Sequence, residues 1–356
     1  MKLHFSQVIC MENLNSIDRE ILRLIEKKVD ILKKMIQNGK IGMNYEIAAS
    51  LISETNLNPV RIHRIFEEIE KLLKEEEKRI LGFEKKVAVL GPIGSFSEEM
   101  AINLVGSRDP IEYFQTTTEV IEAVEGSKVD YGIVPIENST NGTVFPVLDA
   151  LLNYDVEVFG EATLEINQCL ATKKSMNLKD IKTVYSHPQG ISQCMRFINN
   201  YLSHAEIKYT ASTADGVNLL DENSAVIMSE TGAKYYKLHV VRKKIQDFLG
   251  NTTRFYAIRK KRSERGFRNG KITALFFGVE DKPGSLKNVL EIFYKNGFNL
   301  RKLESRPAKT KLGDYIFFTE VEASLSYKHM EELRKAVTFH RVIGIFKEIE
   351  EIDVLR

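Results

Sequence analysis

The sequence is poor in cysteine and proline, has no excess of one charge and contains no long apolar run. Its three cysteines, Cys10, Cys169 and Cys194, are odd in number and lack CxxC spacing, which argues against a disulfide framework or a zinc site. The 51 basic residues almost balance the 49 acidic ones, so the net charge of +2 gives no general attraction to polyanions. No apolar run approaches the roughly 18–20 residues of a membrane span, and the N-terminus is too polar for a signal peptide. We therefore expect a cytoplasmic protein that binds neither membrane nor nucleic acid and holds no metal ion.

The first part of the chain has the periodicity of helices. Apolar residues recur with helical spacing over residues 14–37, which predicts a long amphipathic helix. Asn58 and Pro59 are typical of a helix N-cap and first turn, and they predict a second helix. A short third helix is expected at residues 46–52. We interpret residues 1–85 as an all-α domain.

The rest of the chain divides into two further patterns, in keeping with a length of 356 residues, which favours two or three domains. Over residues 86–262, short β-rich runs alternate with polar loops and helices, which predicts a mainly parallel sheet with covering helices. Residues 270–356 follow the order β-α-β-β-α-β, the ferredoxin-like α+β arrangement. The basic run at 259–271 lacks an aromatic pattern, and we interpret it as a solvated linker.

Polar side chains are concentrated where predicted strands of the middle domain end and helices begin. Ligand sites of open α/β sheets form at such junctions, because unpaired helix N–H groups favour anions there. Ser95 and Glu98 have capping-box spacing, so a structural role for Ser95 remains as open as a ligand role. Arg254, at the start of a strand, could clamp a carboxylate or lie on the surface. Without nucleotide-binding glycine motifs, the pattern predicts a cleft for a small carboxylated molecule.

Five segments of the middle domain resemble, in order, the motifs of the prephenate dehydratase family: GPIGSFSEEMA, VPIENSTNGTV, SHPQGISQC, AVIMSETGAKYYKL and NTTRFYAI. The resemblance covers about residues 86–260. It implies a two-lobed α/β fold like that of a periplasmic binding protein, with the active site between the lobes. It also implies a lyase that converts prephenate to phenylpyruvate, carbon dioxide and water without a cofactor.

The family motifs imply roles for individual residues. The threonine of the Thr-Arg-Phe motif, which is Thr253 here, is the key catalytic residue of the family. Prephenate carries two carboxylates and a ring hydroxyl, so the enzyme must orient a dianion and donate a hydrogen bond to the departing oxygen. Our hypothesis is that Thr253 makes this donation while Arg254, Asn138 and Ser139 hold the carboxylates. The expected substrate-binding residues are Ser95, Ser97, Glu137, Thr143, Ser186, Gln189 and Phe255.

The C-terminal segment resembles an ACT amino-acid-sensing domain. Residues 282–286, KPGSL, match the family's Pro-Gly-Ala-Leu turn with serine for alanine, and residues 304–307 match its ESRP motif without change. In dehydratases phenylalanine binds between paired ACT domains, so the resemblance implies feedback inhibition by phenylalanine and a homodimer or homotetramer. The expected phenylalanine-binding residues are Gly284, Ser285, Leu286, Asn299, Leu300, Glu304, Ser305 and Arg306.

The N-terminal helices look like an all-helical chorismate mutase domain in length and position. Alignment on that family puts Met11 and Lys28 where its first two catalytic arginines belong, and Lys40 one residue out of register with its lysine. Chorismate is a dicarboxylate, so the loss of arginines removes the forked groups that would grip it. Lys28 and Lys40 are the candidate mutase residues. The alternative is a helical module that pairs subunits through its apolar stripe.

Two other functions remain open for the whole chain. One is a phenylalanine-sensing protein that keeps the two-lobed cleft without catalysis. The other is a decarboxylase-like enzyme that acts on prephenate with the same scaffold. Retention of Thr253, Arg254 and Phe255 favours the dehydratase.

Overall fold

The computed structural model forms two compact units. The N-terminal unit is Met1–Glu84 with Asp353–Arg356, and the main unit is Lys85–Ile352. The short helix expected at 46–52 and most of the expected linker lie outside the described residues. None of the described helices combines the length and apolarity that a membrane crossing requires. The structure describes residues 2–40, 56–80, 85–106, 111–261, 270–307 and 315–350.

The described part of the N-terminal unit consists of two helices, α1 (Lys2–Gln37) and α2 (Pro59–Ile80). The predicted N-cap of α2 is confirmed, because the side-chain oxygen of Asn58 accepts hydrogen bonds from the backbone of Val60 and Arg61 at 3.1 and 3.3 Å. The two helices bury Leu32 and Leu73. Several other apolar side chains among the described residues of this unit are exposed, among them Ile17, Ile21, Leu24, Ile31, Ile65 and Leu72.

The main unit alternates strands and short helices. Its strands are β1 (Val87–Leu90), β2 (Ile111–Phe114), β3 (Tyr131–Asn138), β4 (Gly142–Thr143), β5 (Val156–Glu165), β6 (Gln168–Thr172), β7 (Thr183–Ser186), β8 (Glu206–Tyr209), β9 (Ser224–Ser229), β10 (His239–Arg242), β11 (Thr252–Lys260), β12 (Ile272–Val279), β13 (Leu300–Pro307), β14 (Tyr315–Val321) and β15 (Phe339–Phe346). Its helices are α3 (Phe96–Val105), α4 (Thr117–Glu125), α5 (Phe145–Asn153), α6 (Pro188–Ser192), α7 (Met195–Tyr201), α8 (Thr213–Asn218), α9 (Glu230–Tyr235), α10 (Ser285–Lys295) and α11 (Tyr327–Arg334), besides one 3₁₀ turn at Leu178–Asp180.

Two sheets of the main unit form two lobes. The first lobe has the strand order β2-β1-β3-β11-β5, with β4 paired to β3, and the second has the order β10-β6-β9-β7-β8. As predicted, most strands of each sheet share one direction, but β11 runs antiparallel to β3 and β5, and β6 runs antiparallel to β9 and β10. The reason is the path of the chain, which leaves the first lobe after β5 and returns to it in β11. The two-lobed α/β architecture itself is confirmed.

The lobes contact each other where two glycines meet. The Ser229 hydroxyl donates a hydrogen bond to the carbonyl oxygen of Gly94 at 2.8 Å and accepts one from the backbone of Gly232 at 2.9 Å. Gly94 has a left-handed φ of 86°, and a Cβ atom on Gly232 would lie 3.0 Å from the Gly94 oxygen. This close contact between the lobes therefore requires glycine at both positions.

The third sheet forms the C-terminal domain, with the antiparallel order β13-β14-β12-β15. The predicted ferredoxin-like arrangement is confirmed. One face packs on α10 and α11 around Phe277, Val289 and Phe293. The other face shares an apolar cluster with the first lobe, in which the rings of Tyr256 and Phe346 meet edge to face at 5.2 Å.

The two cysteines whose side chains are described, Cys169 and Cys194, are free and buried. Burial raises the pKa of each thiol to about 12. Both thiols therefore stay protonated at neutral pH, which is typical of structural cysteines and not of nucleophiles.

Candidate active site

A polar cluster lies where the chain passes between the lobes. The chain leaves the first lobe after β5 through Ile166 and Asn167, and it re-enters through Asn251. These two passages are tied together, because the backbone N–H of Ile166 donates to the Asn251 carbonyl oxygen at 2.7 Å. The end of β3 lies beside them, since Asn138 pairs with Thr253 in the antiparallel ladder of β3 and β11.

Asn138 and Thr253 form the centre of this cluster. The Asn138 Nδ2 group donates to Thr253 Oγ1 at 2.9 Å, to Asn251 Oδ1 at 2.8 Å and to the Thr252 carbonyl oxygen at 3.2 Å. The Asn138 Oδ1 atom accepts from the backbone of Thr140 and Asn141 at 3.0 Å. The hydrogen bonds at Nδ2 and at Oδ1 together hold the Asn138 side chain in one orientation. Thr253 is 8% exposed, and its hydroxyl hydrogen has no acceptor among the described residues.

Asn251 is the residue of this cluster that the sequence analysis missed. Its Oδ1 atom accepts hydrogen bonds from Asn138, and from the hydroxyls of Ser139 and Thr140 at 3.2 Å each. A carbonyl oxygen has two lone pairs, so three donors exceed what it can hold well. The one available signal was its place directly before the predicted Thr252-Thr253-Arg254 segment.

Glu137 and Arg254 lie on the opposite face of the sheet from Asn138 and Thr253. Successive side chains of a strand point to opposite faces, and the ladder pairs Arg254 with Glu137 directly beside the pair of Thr253 with Asn138. Arg254 donates to Glu137 Oε2 through Nη2 at 2.8 Å, and through Nη1 to Glu161 at 2.9 Å and to Glu320 at 2.8 Å. Glu320 belongs to strand β14 of the C-terminal domain. These contacts do not support the expected role of Arg254 as a clamp for a substrate carboxylate.

The charged residues on that face stabilise each other. Burial alone would raise the pKa of Glu137, but hydrogen bonds from Lys302 and Arg254 outweigh it and lower the pKa below its usual value. In the same way Arg301 and Arg254 outweigh burial at Glu161 and lower the pKa of that carboxyl. A lowered carboxyl pKa stabilises the folded chain above the ordinary glutamate pKa, and this stabilisation is lost as the pH falls through the folded-state value. The ion pairs therefore act fully at neutral pH.

Other expected site residues have structural contacts. Ser95 caps α3, since its hydroxyl accepts from the backbone of Glu98 at 3.2 Å and donates to the Leu90 carbonyl oxygen at 3.0 Å. Ser186 is buried and donates to the carbonyl oxygen of Ile227 at 2.9 Å. Thr143 donates to Glu304 Oε1 at 2.5 Å, on the face of Arg254.

The remaining expected substrate-binding residues differ in exposure. Ser97 lies in the first turn of α3 and is nearly buried, and Phe255 is buried in β11. Gln189 is exposed in the first turn of α6. No group of three histidine, cysteine, aspartate or glutamate side chains within the described ranges could hold a metal ion.

Most of the expected effector residues fall into two groups. Gly284, with a left-handed φ of 89°, precedes α10, and Leu286 and Leu300 pack against the same apolar cluster of the C-terminal domain. Glu304 and Arg306 instead contact the first lobe, where Arg306 donates to both carboxylate oxygens of Asp149 at 2.9 and 2.7 Å. Asn299 donates to Glu322 at 2.8 Å within the domain, and Ser305 is exposed.

The candidate mutase residues are both exposed in the N-terminal unit. The ammonium group of Lys28 lies 5.6 Å from the ring centroid of Phe66, a cation–π contact between α1 and α2. Lys40 follows the end of α1, where Gly39 has a left-handed φ of 76°.

Comparisons with known proteins identify both parts of the main unit. Residues 87–263 match the family model for prephenate dehydratase, and residues 273–339 match the model for the ACT domain. A bifunctional chorismate mutase/prephenate dehydratase of Aquifex aeolicus is 33% identical over 94% of this chain and 96% of its own length. Among solved structures, prephenate dehydratase from Staphylococcus aureus is 31% identical, with a TM-score of 0.65 over 73% of this chain and 99% of that one. Prephenate dehydratase from Arthrobacter aurescens in complex with L-Phe is 27% identical, with a TM-score of 0.66 over 74% of this chain and 90% of that one.

We predict that Asn251→Ala lowers the free energy of unfolding by about 1–3 kcal/mol, because it removes a buried acceptor that the Asn138 amide shares with two hydroxyls. Asn141→Ala is the matched control, since the Asn141 side chain is exposed and should change stability by less than about 0.5 kcal/mol. Urea unfolding of both variants measures the difference. Equal stability of the two variants would contradict a central role for Asn251.

Proposed function

The chain belongs to the prephenate dehydratase family and carries an ACT domain, and we propose that it converts prephenate to phenylpyruvate, carbon dioxide and water at the cluster around Thr253. One observation carries the choice of site. The Thr253 oxygen already accepts a hydrogen bond from Asn138, so its own hydrogen is left to donate to a bound molecule.

The chemistry requires a donor at the departing oxygen. The bond between the ring carbon and the carboxylate breaks, and its electron pair enters the ring as carbon dioxide leaves. The bond to the ring hydroxyl breaks at the other end, and that oxygen leaves with its electron pair and becomes water with a proton that comes from solvent. A donor aimed at this oxygen stabilises the charge that develops on it. Thr253 supplies this donor, and Asn138 holds it in place.

Ser139 and Thr140 supply donors for a substrate carboxylate in this proposal. Both hydroxyls donate at 3.2 Å to Asn251 Oδ1, which also accepts from Asn138 at 2.8 Å. Because this oxygen has more donors than lone pairs, a carboxylate can take over one or both hydroxyl donors at little cost. The substrate dianion is therefore bound by neutral donors, while Arg254 is occupied by three glutamates.

Phenylalanine is the proposed effector of the C-terminal domain. The support is the ACT family match, together with the Arthrobacter aurescens dehydratase structure, which is a complex with L-Phe. The left-handed Gly284 at the start of α10 and the residues at the start of β13 are the proposed binding segments, since Leu286 and Leu300 pack on one apolar cluster. Phenylalanine would act by binding one of two states of the enzyme more tightly.

The N-terminal unit is proposed to be chorismate-mutase-like in fold but without mutase activity. The support for the fold is that the bifunctional Aquifex aeolicus relative matches over 94% of this chain. The support for inactivity is the methionine at position 11, and the contact of Lys28 with Phe66, which holds its ammonium group over a ring. We further propose three domains, at residues 1–85, 86–262 and 270–356, in a homodimer or homotetramer.

We predict that Thr253→Ala lowers kcat for prephenate by about 10²–10³, the usual effect of removing one donor to a developing charge. Thr253→Ser keeps the hydroxyl and should retain most of the activity. Thr252→Ala, one residue earlier in β11, is the control and should stay within about twofold of wild type. Wild-type turnover in Thr253→Ala would contradict the assignment. A wild-type chain that binds prephenate without turnover would indicate the sensing alternative, and a product without the phenylpyruvate spectrum would indicate the decarboxylase-like one.

We predict that isothermal titration detects phenylalanine binding to the full chain, and that Gly284→Ala weakens it about tenfold, because a side chain disfavours the left-handed backbone by about 1–2 kcal/mol and the free segment then relaxes away from the conformation that binds. Gly39→Ala has the same kind of strain, with no atom of the described residues within 4 Å of the added Cβ, and should leave binding unchanged. No heat of binding for wild type would exclude phenylalanine as the effector.

We predict that the purified full chain does not isomerise chorismate above the uncatalysed rate, since lysine and methionine cannot replace forked arginine contacts. Turnover of prephenate by the same sample is the control for folding. Chorismate turnover that Lys28→Met abolishes would show instead that the N-terminal unit is an active mutase.

A further inference from the structure

Two arginines and two glutamates form a closed ring between the first lobe and the C-terminal domain. Arg254 and Glu161 belong to the first lobe, and Arg301 and Glu320 belong to the C-terminal domain. Arg254 donates to both glutamates at 2.9 and 2.8 Å. Arg301 donates to Glu320 at 2.8 Å and to the two oxygens of Glu161 at 2.7 and 2.5 Å. Each guanidinium therefore contacts both carboxylates, and the two positive charges of the ring balance its two negative charges.

Three of the four side chains of the ring are largely withdrawn from water. The side chain of Glu320 is 0% exposed, that of Glu161 is 6% exposed and that of Arg254 is 15% exposed. The hydroxyl of Tyr256 also donates to Glu320. Because the carboxylates cannot exchange their partners for water, loss of one member leaves an uncompensated buried charge. The buried charges therefore hold the side chains of the ring in one arrangement.

This ring adjoins the catalytic threonine through the backbone. Arg254 follows Thr253 directly, and consecutive Cα atoms are about 3.8 Å apart. The ladder between β11 and β3 shifts register between Arg254 and Phe255, so backbone pairing is irregular at this point. On its other edge β11 pairs in register with β5 from Thr252 to Ala257, so the side-chain contacts of Arg254 add a constraint on the edge that faces β3.

We propose that Arg254 is a positioning residue, which holds the Thr253 hydroxyl in place through the backbone with carboxylates from both parts of the main unit. The C-terminal domain then takes part in catalysis, because it supplies Glu320 and Arg301. This inference rests on the proposed function, since it concerns the placement of the hydroxyl that acts on prephenate.

The same contacts give the effector a short route to the site. Arg301 and Lys302 follow Leu300, at the start of β13, where phenylalanine is proposed to bind. Lys302 donates to Glu137 Oε1 at 2.7 Å, and Glu137 is the remaining partner of Arg254. A ligand that displaces the start of β13 therefore changes the partners of Arg254, and regulation follows from that change.

The test is steady-state kinetics of the full-length Glu320→Gln variant with prephenate, with and without phenylalanine. This change keeps the shape of the side chain and removes its charge. We expect kcat to fall on the order of tenfold with KM within about twofold, because the substrate contacts persist while the donor is misplaced. We also expect the variant to need more phenylalanine for half-inhibition. Asp149→Asn is the matched control, since it removes the charge of another ion pair between the same domains, away from β11, and its kcat should stay at the wild-type value.

A second variant, Arg301→Gln, decides the outcome if Glu320→Gln does not fold, because the Arg301 side chain is 28% exposed. Like Glu320→Gln, it should lower kcat. Wild-type kcat and wild-type phenylalanine inhibition in either folded variant would overturn the inference while leaving the dehydratase assignment intact. So would an Arg254→Lys variant that raises KM alone, since that result indicates a substrate clamp. An inactive wild-type chain would instead contradict the proposed function.

Discussion

Strand β11 returns from the second lobe and inserts between β3 and β5, and both the site and the domain contact depend on this insertion. Both faces of β11 are largely covered at this point, since Thr253 is 8% exposed and the Arg254 side chain is 15% exposed, so their polar groups need partners on each side. Thr253 finds the amide of Asn138 on one face. Arg254 finds three carboxylates on the other. One strand thereby carries the proposed catalytic threonine on one face and contacts the C-terminal domain on the other.

The distribution of charge follows from this division. Near the site, Glu137, Glu161 and Arg254 lie on the face that contacts the C-terminal domain, where pairing compensates the cost of removing them from water. The opposite face carries the amide of Asn138 and the hydroxyl of Thr253 at this end of the strands. Neutral donors suit a reaction in which negative charge develops on an oxygen, since they need no change of protonation state to respond to it. The small net charge of the chain is consistent with a substrate that is recognised by placed donors.

Several features could be predicted from sequence because they depend on neighbours along the chain. The N-cap at Asn58 needs only the residues that follow it, and the helix over 14–37 needs only its own periodicity. The direction of β11 could not be read in this way, because it depends on the path through the second lobe. The role of Asn251 could not be predicted for a similar reason, since its donors at positions 138–140 lie more than a hundred residues away in the sequence.

The sequence by itself determined the order of the elements, the two-lobed and ferredoxin-like patterns and the group of polar residues from which a dehydratase site could be built. These follow from local periodicity and from motif resemblance. The tertiary structure alone decided which of those residues act together. Neighbours in the motifs, such as Asn138 with Glu137 or Thr253 with Arg254, are separated onto opposite faces by the two-residue period of a strand. The partners on each face come from distant segments that only the folded chain brings together.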